Sequence, residues 1–524
     1  MITADQTKVL AFLGSSSTHS GDAVERIETH ASVVFLAGTR AWKLKRAVLY
    51  DYLDFSTIER RRAMCEAEVR INRRTASELY QGVVAVTREP DGSLALGGSG
   101  TPVDWLVEMA RFDQDGLFDR LATRGTLDIG LMRPLASAIA QLHLTAEPRS
   151  DHGGRAGMAW VIDGNAAGFV EQGAGILDQA LGARVTKDAR NAVQRDGALL
   201  DARRDAGLVR QCHGDLHLRN IVLLDGRPTL FDAIEFNDEI ACIDVLYDLA
   251  FLLMDLWRRQ LPRHANAVWN AYLAETRDFE GVRLLPLFLS CRAAVRSKTS
   301  ATAASLQSDP QRRDELKAMA GGYLALAQEL LRPPPPCLIG IGGFSASGKS
   351  TLAHALGPRI GPVPGAVVIR SDEIRKWLCG VEPLHRLGPE GYTPDVSQRV
   401  YATVAEHADV LVRNGHAAIA DAVFAHRSDR DTIERLAAAA AVPFVGLWLD
   451  TPESELIARS ARRRFDASDA DASVIRNQLA EGTGPIAWHR LDASSSPEDV
   501  LQKAILVLGE RLKGGTIRSE SRAA

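Results

Sequence analysis

Eight consecutive residues, Gly343-Phe344-Ser345-Ala346-Ser347-Gly348-Lys349-Ser350, have the types and spacing needed to hold a polyphosphate. They match G-x-x-x-x-G-K-[ST], the Walker A phosphate loop. Such a loop converges successive backbone N–H groups on phosphate oxygens, and a following helix adds the positive end of its dipole. Gly343, Ser345, Ala346, Ser347, Gly348 and Thr351 are the expected cradle. Lys349 is placed to reach the β/γ-phosphates of ATP, and the Ser350 hydroxyl to ligate Mg²⁺. The motif needs a strand before it and a helix after it. The apolar run Cys337–Ile341 and the segment Thr351–Leu356 supply both.

A second constellation lies upstream. His213-Gly214-Asp215 is followed by Asn220, an apolar run Ile221–Leu224, an Asp225-Gly226 turn and Asp232 at the end of a second run. Phosphoryl transfer to a hydroxyl needs a carboxylate to orient the acceptor and take its proton, and oxygen ligands for Mg²⁺. Asp215 fits the first role. Asn220 and Asp232 fit the second.

These elements imply an order along the chain. Ser32–Leu36 and Ala41–Lys45 flank a turn at Gly38 and predict a hairpin. Ser56-Thr57-Ile58-Glu59 has the capping-box pattern and predicts a helix to about residue 79. Val83–Thr87 and Leu106–Arg111 predict strands, and the chain beyond Leu117 turns largely helical. A β-rich lobe followed by a helical lobe is the expectation for residues 1–332. Pro333–Pro336 cannot be helical and predicts a semi-rigid spacer. Residues 337–512 alternate strands with helices, which predicts a doubly wound parallel sheet with ligands at the strand C-termini. The polar stretch 513–524 is expected to be a flexible tail.

The upstream half, over roughly residues 25–300, resembles the aminoglycoside phosphotransferase family, relatives of the protein kinases. The resemblance implies a strand lysine that holds the α/β-phosphates and pairs with a helix glutamate. Lys43 and Glu68 match, with Lys45 and Glu66 as alternatives. It also implies that Asp248 anchors the catalytic loop. The chain departs from the pattern in having no G-x-G-x-x-G in the 32–45 hairpin. The downstream half resembles small phosphate-loop kinases, among them polynucleotide 5′-kinases, zeta toxins, chloramphenicol phosphotransferase and gluconate kinase, with an AAA-type ATP-binding core. That resemblance makes Asp372 the base for an acceptor hydroxyl and Arg375 a contact to the acceptor. It puts Asp421 near the metal or acceptor. It makes Arg459, Arg462, Arg463 and Arg464 lid arginines over the triphosphate. The plainer alternatives are that Asp372 only caps a helix and that the arginines are a solvated face.

Composition bounds the rest. A net charge of −4 disfavours a globally basic nucleic-acid binder, as does the lack of an interleaved basic–aromatic stretch. Six widely spaced cysteines form no C-x-x-C pair, which predicts reduced thiols. No signal-peptide pattern and no run of ~20 apolar residues is present, so a cytoplasmic protein is expected. The expectation is two ATP- and Mg²⁺-dependent phosphotransferase modules acting on an unidentified hydroxyl acceptor. The alternatives are a polynucleotide 5′-hydroxyl kinase and an ATP-binding regulatory protein with a degenerate N-terminal module.

Overall fold

The computed structural model describes residues 2–50, 52–382, 385–462, 468–512 and 516–518. The chain packs as two compact units, residues 1–168 with 189–255, and residues 169–188 with 256–524.

The first unit opens on a six-stranded antiparallel sheet. Its strands, in spatial order, are Glu25–Glu28, Ser32–Ala37, Arg40–Lys45, Thr101–Ala110, Tyr80–Arg88 and Leu94–Leu96. One face is closed by Val33, Phe35, Leu44, Val86 and Leu106. Side chains on a strand alternate, so Lys43 and Lys45 share a face. The helix Ile58–Ala76 starts one residue later than the capping-box pattern implies. Thr57 is the cap and accepts from Arg60 N, because Ser56 instead donates its hydroxyl to Asp54 Oδ1. The helix buries Cys65, Val69 and Ala76 against Val107 and Val222. Beyond it come helices: Met132–Thr145, and the parts of Gly154–Glu171, Gln179–Asp205 and Val245–Arg258 that fall within residues 1–168 and 189–255.

The second unit holds a five-stranded parallel sheet. Its order is Val367–Arg370, Ala418–Asp421, Leu338–Gly342, Phe444–Asp450 and His489–Asp492. The central strand is buried at every residue, as strands covered by helices on both faces must be. Ile339, Ile341, Leu447, Leu352 and Leu356 are all buried in its core, each contributing roughly 1.5–3 kcal/mol. The last strand begins at His489. Trp488 leaves the ladder to lay its ring over the sheet and donate Nε1–H to Glu434 Oε1 (2.6 Å). That ring explains two glycines: a Cβ on Gly340 would stand 2.6 Å from it, and one on Gly446 2.3 Å.

This unit also contains upstream helices. Leu285–Leu306 and Pro310–Leu330 form a pair tied by Ser290 Oγ–H to Ala327 O and Ser297 Oγ–H to Ala320 O, both 2.8 Å. Packing thus groups residues 256–330 with the phosphate-loop sheet, although the proline run lies at 333–336. Within the stretch expected to be loose, Ile517 bridges Ile360, and Gly361 N donates to Thr516 O (2.9 Å). None of the six cysteines is in a disulfide. No helix among the described residues is long and apolar enough to cross a membrane.

A Gly446→Ala substitution should destabilise the second unit by about 1–3 kcal/mol through overpacking, measured by denaturant titration. In a Trp488→Val background the same substitution should cost less. Equal costs in the two backgrounds would exclude the ring as the cause.

Candidate active sites

In the first unit the hairpin brings Lys43 to two carboxylates. Its Nζ donates to Glu68 Oε1 (2.8 Å) and to Asp232 Oδ1 (2.5 Å). Lys45, the alternative lysine, is more deeply buried and donates to Glu68 Oε2 (2.6 Å) and to Glu235. Both lysines therefore use Glu68. Glu66 faces solvent and pairs with Arg62 instead. Burial opposes charge on both lysines, but Asp232 and Glu68 hold the Lys43 ammonium well above its usual range. Burial would raise the Glu68 carboxyl, yet Lys43 and Lys45 outweigh it and bring it down to about 2. Glu235 goes the other way: burial raises its carboxyl despite Lys45. Glu235 and Tyr80, whose hydroxyl accepts from Asp232 N (3.1 Å), were not singled out from sequence. A second same-face lysine was the signal that another acid had to be near.

The catalytic-loop candidate is held by its own side chains. Asn220 Nδ2 donates to both Asp215 O and Asp215 Oδ2, at 3.0 Å each. His217 Nε2 lies 3.3 Å from the same Oδ2. Asp248 anchors the loop backbone, accepting from His213 N (3.0 Å) and Gly214 N (2.9 Å). His213 lies wholly inside, its Nε2 2.9 Å from Phe231 O, and burial lowers its pKa, so it braces the loop as a neutral ring. Asp232 sits at φ +60°, a left-handed conformation uncommon outside glycine, and its carboxylate is 43% exposed beyond Lys43. Helix Ile58–Ala76 is tied to this region through Asn72 to Ala233 and Thr75 to Leu230.

In the second unit the phosphate loop connects Leu338–Gly342 to the helix Lys349–Leu356. Gly343 (φ +143°), Ala346 (φ +67°) and Gly348 (φ +96°) shape it. Lys349 Nζ donates to Phe344 O (2.9 Å). Ser350 Oγ donates to Asp421 Oδ2 (2.6 Å), across the register that sets Ile341 beside Asp421. Asp421 is buried, which raises its carboxyl against the pull of Arg370 and Lys349. A hydroxyl and a carboxylate this close are the hard oxygen donors Mg²⁺ takes. The buried Ser347 Oγ has no hydrogen-bond partner among the described residues, an orphaned polar atom where a phosphate would sit. Ser345 N and Oγ are held by the Gln478 amide.

Asp372 is half-buried in the first turn of Ser371–Leu378 and does not cap it; the cap is Arg370, without a side-chain bond. Arg375 turns inward, donating to Gly391 O (2.8 Å) and Ser397 Oγ (3.2 Å) beneath the Tyr392 ring. Arg459 braces the phosphate loop, with one nitrogen 3.4 Å from Ser347 O and another 2.8 Å from Ala493 O. Arg462 lies on the exposed end of its helix, and Arg463 and Arg464 lie outside the described residues. Sequence missed the buried Lys376, which pairs with Asp469 (3.2 Å), itself bonded to Leu387 N and Tyr392 OH.

Residues 123–285 match the model of the phosphotransferase enzyme family, and residues 338–485 that of an AAA domain. The chain is a phosphotransferase-family domain fused to a P-loop kinase-like domain. It is 29% identical over 486 residues to an uncharacterized protein of Mycobacterium tuberculosis, covering 90% of this chain and 92% of the relative. It is 30% identical over 143 residues to an adenylyl-sulfate kinase of Myxococcus xanthus, covering 27% of this chain and 69% of the relative. A solved choline/ethanolamine kinase family protein of Mesorhizobium loti overlaps 61% of this chain and 98% of its own, at 13% identity and a TM-score of 0.33. The family matches support a kinase-type phosphotransferase that uses ATP.

Removing Glu68 leaves two buried ammonium groups short of a carboxylate. Glu68→Gln should cost about 3–5 kcal/mol at neutral pH by denaturant titration. The folded carboxyl lies below its ordinary 4.5, so its stabilisation is complete above that pH and is lost as pH falls towards about 2. The variant should therefore lack part of the wild-type loss of stability over that window. An identical acid limb would count against the pairing.

Proposed function

We propose that the chain has two working phosphoryl-transfer sites, each moving the γ-phosphate of ATP to a hydroxyl of a small-molecule acceptor. The modules would be residues 1–332 and 337–512, joined by 333–336. The observation that carries the reading is the first site. Lys43, Glu68 and Asp232 meet there, and Asn220 holds the Asp215 carboxylate, although these residues span 189 positions of sequence. A module retained only for binding has no need of the base and its clamp.

At that site Asp215 would orient the acceptor hydroxyl and take its proton as the oxygen attacks the γ-phosphorus and the bond to the β-phosphate oxygen breaks. Lys43, fixed by Glu68, would hold the α/β-phosphates. Asn220 and Asp232 would hold Mg²⁺. At the second site Lys349 and the backbone of Gly343–Thr351 would hold the triphosphate, and Ser350 with Asp421 would hold Mg²⁺. Asp372 would orient the acceptor. Arg375 would act by fixing residues 391–397, and Arg459 by bracing the loop, with Arg463 as a candidate lid residue. Bound Mg²⁺ would offset negative charge on the transferring phosphoryl group.

The similarity to an adenylyl-sulfate kinase makes adenylyl sulfate the first acceptor to offer the second site. Transfer from γ-labelled ATP into a metabolite extract tests the whole reading, comparing the intact chain with Lys349→Ala and Asp215→Asn. Each variant should lose a different part of the labelled products, on the order of 10²-fold or more. Full labelling by both variants overturns the two-site reading.

A further inference from the structure

The strand Val367–Arg370 leads directly into Asp372, and it is an edge strand. Its inner side pairs with Ala418–Asp421; its outer side has no neighbouring strand among the described residues. The helix Pro262–Thr276 lies along that outer side. Asn270 Oδ1 accepts from Val368 N (2.7 Å), and Asn270 Nδ2 lies 3.3 Å from Ala366 O. Asn266, one turn earlier and buried, donates its own Nδ2 to the same carbonyl (3.1 Å). A primary amide carries a donor and an acceptor side by side, so Asn270 repeats what the backbone of a sixth strand would offer.

The fit is close. A Cβ on Gly357 would stand 2.6 Å from Asn266 Oδ1, and one on Gly365, at φ +113°, 2.8 Å from Asn266 Nδ2. Trp269 sets its ring edge-on to His416, 5.8 Å between centroids, in the turn before Ala418–Asp421. Past the helix, the Arg277 guanidinium lies 3.5 Å from the Trp377 ring centroid, on the helix that carries Asp372. The Phe279 ring lies 4.6 Å from that of His407, on the helix Pro394–Arg413 whose Ser397 holds Arg375. Residues 262–279 therefore touch the strand before Asp372, the helix that carries it, and the helix behind that one.

The phosphotransferase match runs through residue 285, so this stretch is upstream sequence serving the downstream sheet. We infer that Asn270, supported by Asn266, is a positioning residue for the second phosphoryl-transfer site, fixing the edge strand so that Asp372 is held in place. The inference rests on the reading of Asp372 as the group that orients the acceptor. Without the Asn270 amide, Val368 N–H loses its partner at a sheet edge and Ala366 C=O keeps only Asn266. Leaving such groups unmet favours local opening, and a base displaced by about 1 Å can lose much of its effect. The phosphate loop sits two strands away on the central strand and does not depend on these bonds.

The test uses the full chain and water as the acceptor, reading slow Mg²⁺-dependent ATP hydrolysis beside hydrogen–deuterium exchange. Asn270→Ala should raise exchange across residues 366–378 about tenfold and lower kcat several-fold, with KM for ATP within about twofold. Exchange across 343–356 should not move. Asn270→Asp keeps an acceptor for Val368 N–H and should recover part of kcat. Unchanged exchange at 366–378 overturns the inference. So does an unchanged kcat when Asp372→Asn lowers it. If Asp372→Asn leaves kcat untouched, the reading of Asp372 fails on its own, and the exchange at 366–378 still decides whether Asn270 fixes the strand.

Discussion

A carboxylate can be buried only if its oxygens are occupied, and the first unit is built around that constraint. Glu68 is fully inside the protein, with one oxygen on Lys43 and the other on Lys45. Its helix is thereby pinned to the sheet. The same helix holds Ala233 through Asn72 and Leu230 through Thr75. Those two bonds bracket Asp232. Sheet, helix and loop thus share one electrostatic centre, and loosening it would move each of the groups proposed to handle the nucleotide.

The second unit applies a different rule to a similar end. A parallel sheet buries its strands and delivers all their C-terminal ends to one edge. Asp421, Arg370 and the phosphate loop arrive together because their strands are neighbours in register. Side-chain chemistry is then refined by short bonds such as Ser350 to Asp421. The weak point of an open sheet is its edge. Here the edge next to Asp372 is closed by amide side chains from a helix far upstream in sequence.

Acidic and basic groups in both sites restrain each other before any substrate is considered. Lys43 is shared by two acids, Lys349 rests on a loop carbonyl, and Arg375 and Arg459 hold backbone oxygens. Such groups keep long, flexible side chains in few conformations, which lowers the ordering cost of binding a polyphosphate.

The sequence by itself determined the local features. Gly343–Ser350 needs only eight adjacent residues, and His213 to Asn220 only eight more. Alternation along 40–45 set Lys43 and Lys45 on one face, and buried runs predicted the parallel strands. Tertiary structure decided what depends on distant partners. It showed both lysines using Glu68, with Glu235 as the acid that balances Lys45. It moved the helix cap from Ser56 to Thr57 because Asp54 takes the Ser56 hydroxyl. It turned Arg375 inward and set Arg459 beneath the phosphate loop. It also joined residues 256–330 to the phosphate-loop sheet, across the proline run that composition had marked as the boundary. Local motifs are written in backbone geometry and neighbouring side chains; pairings over tens to hundreds of residues are chosen by burial, which demands a partner without saying where in the chain it lies.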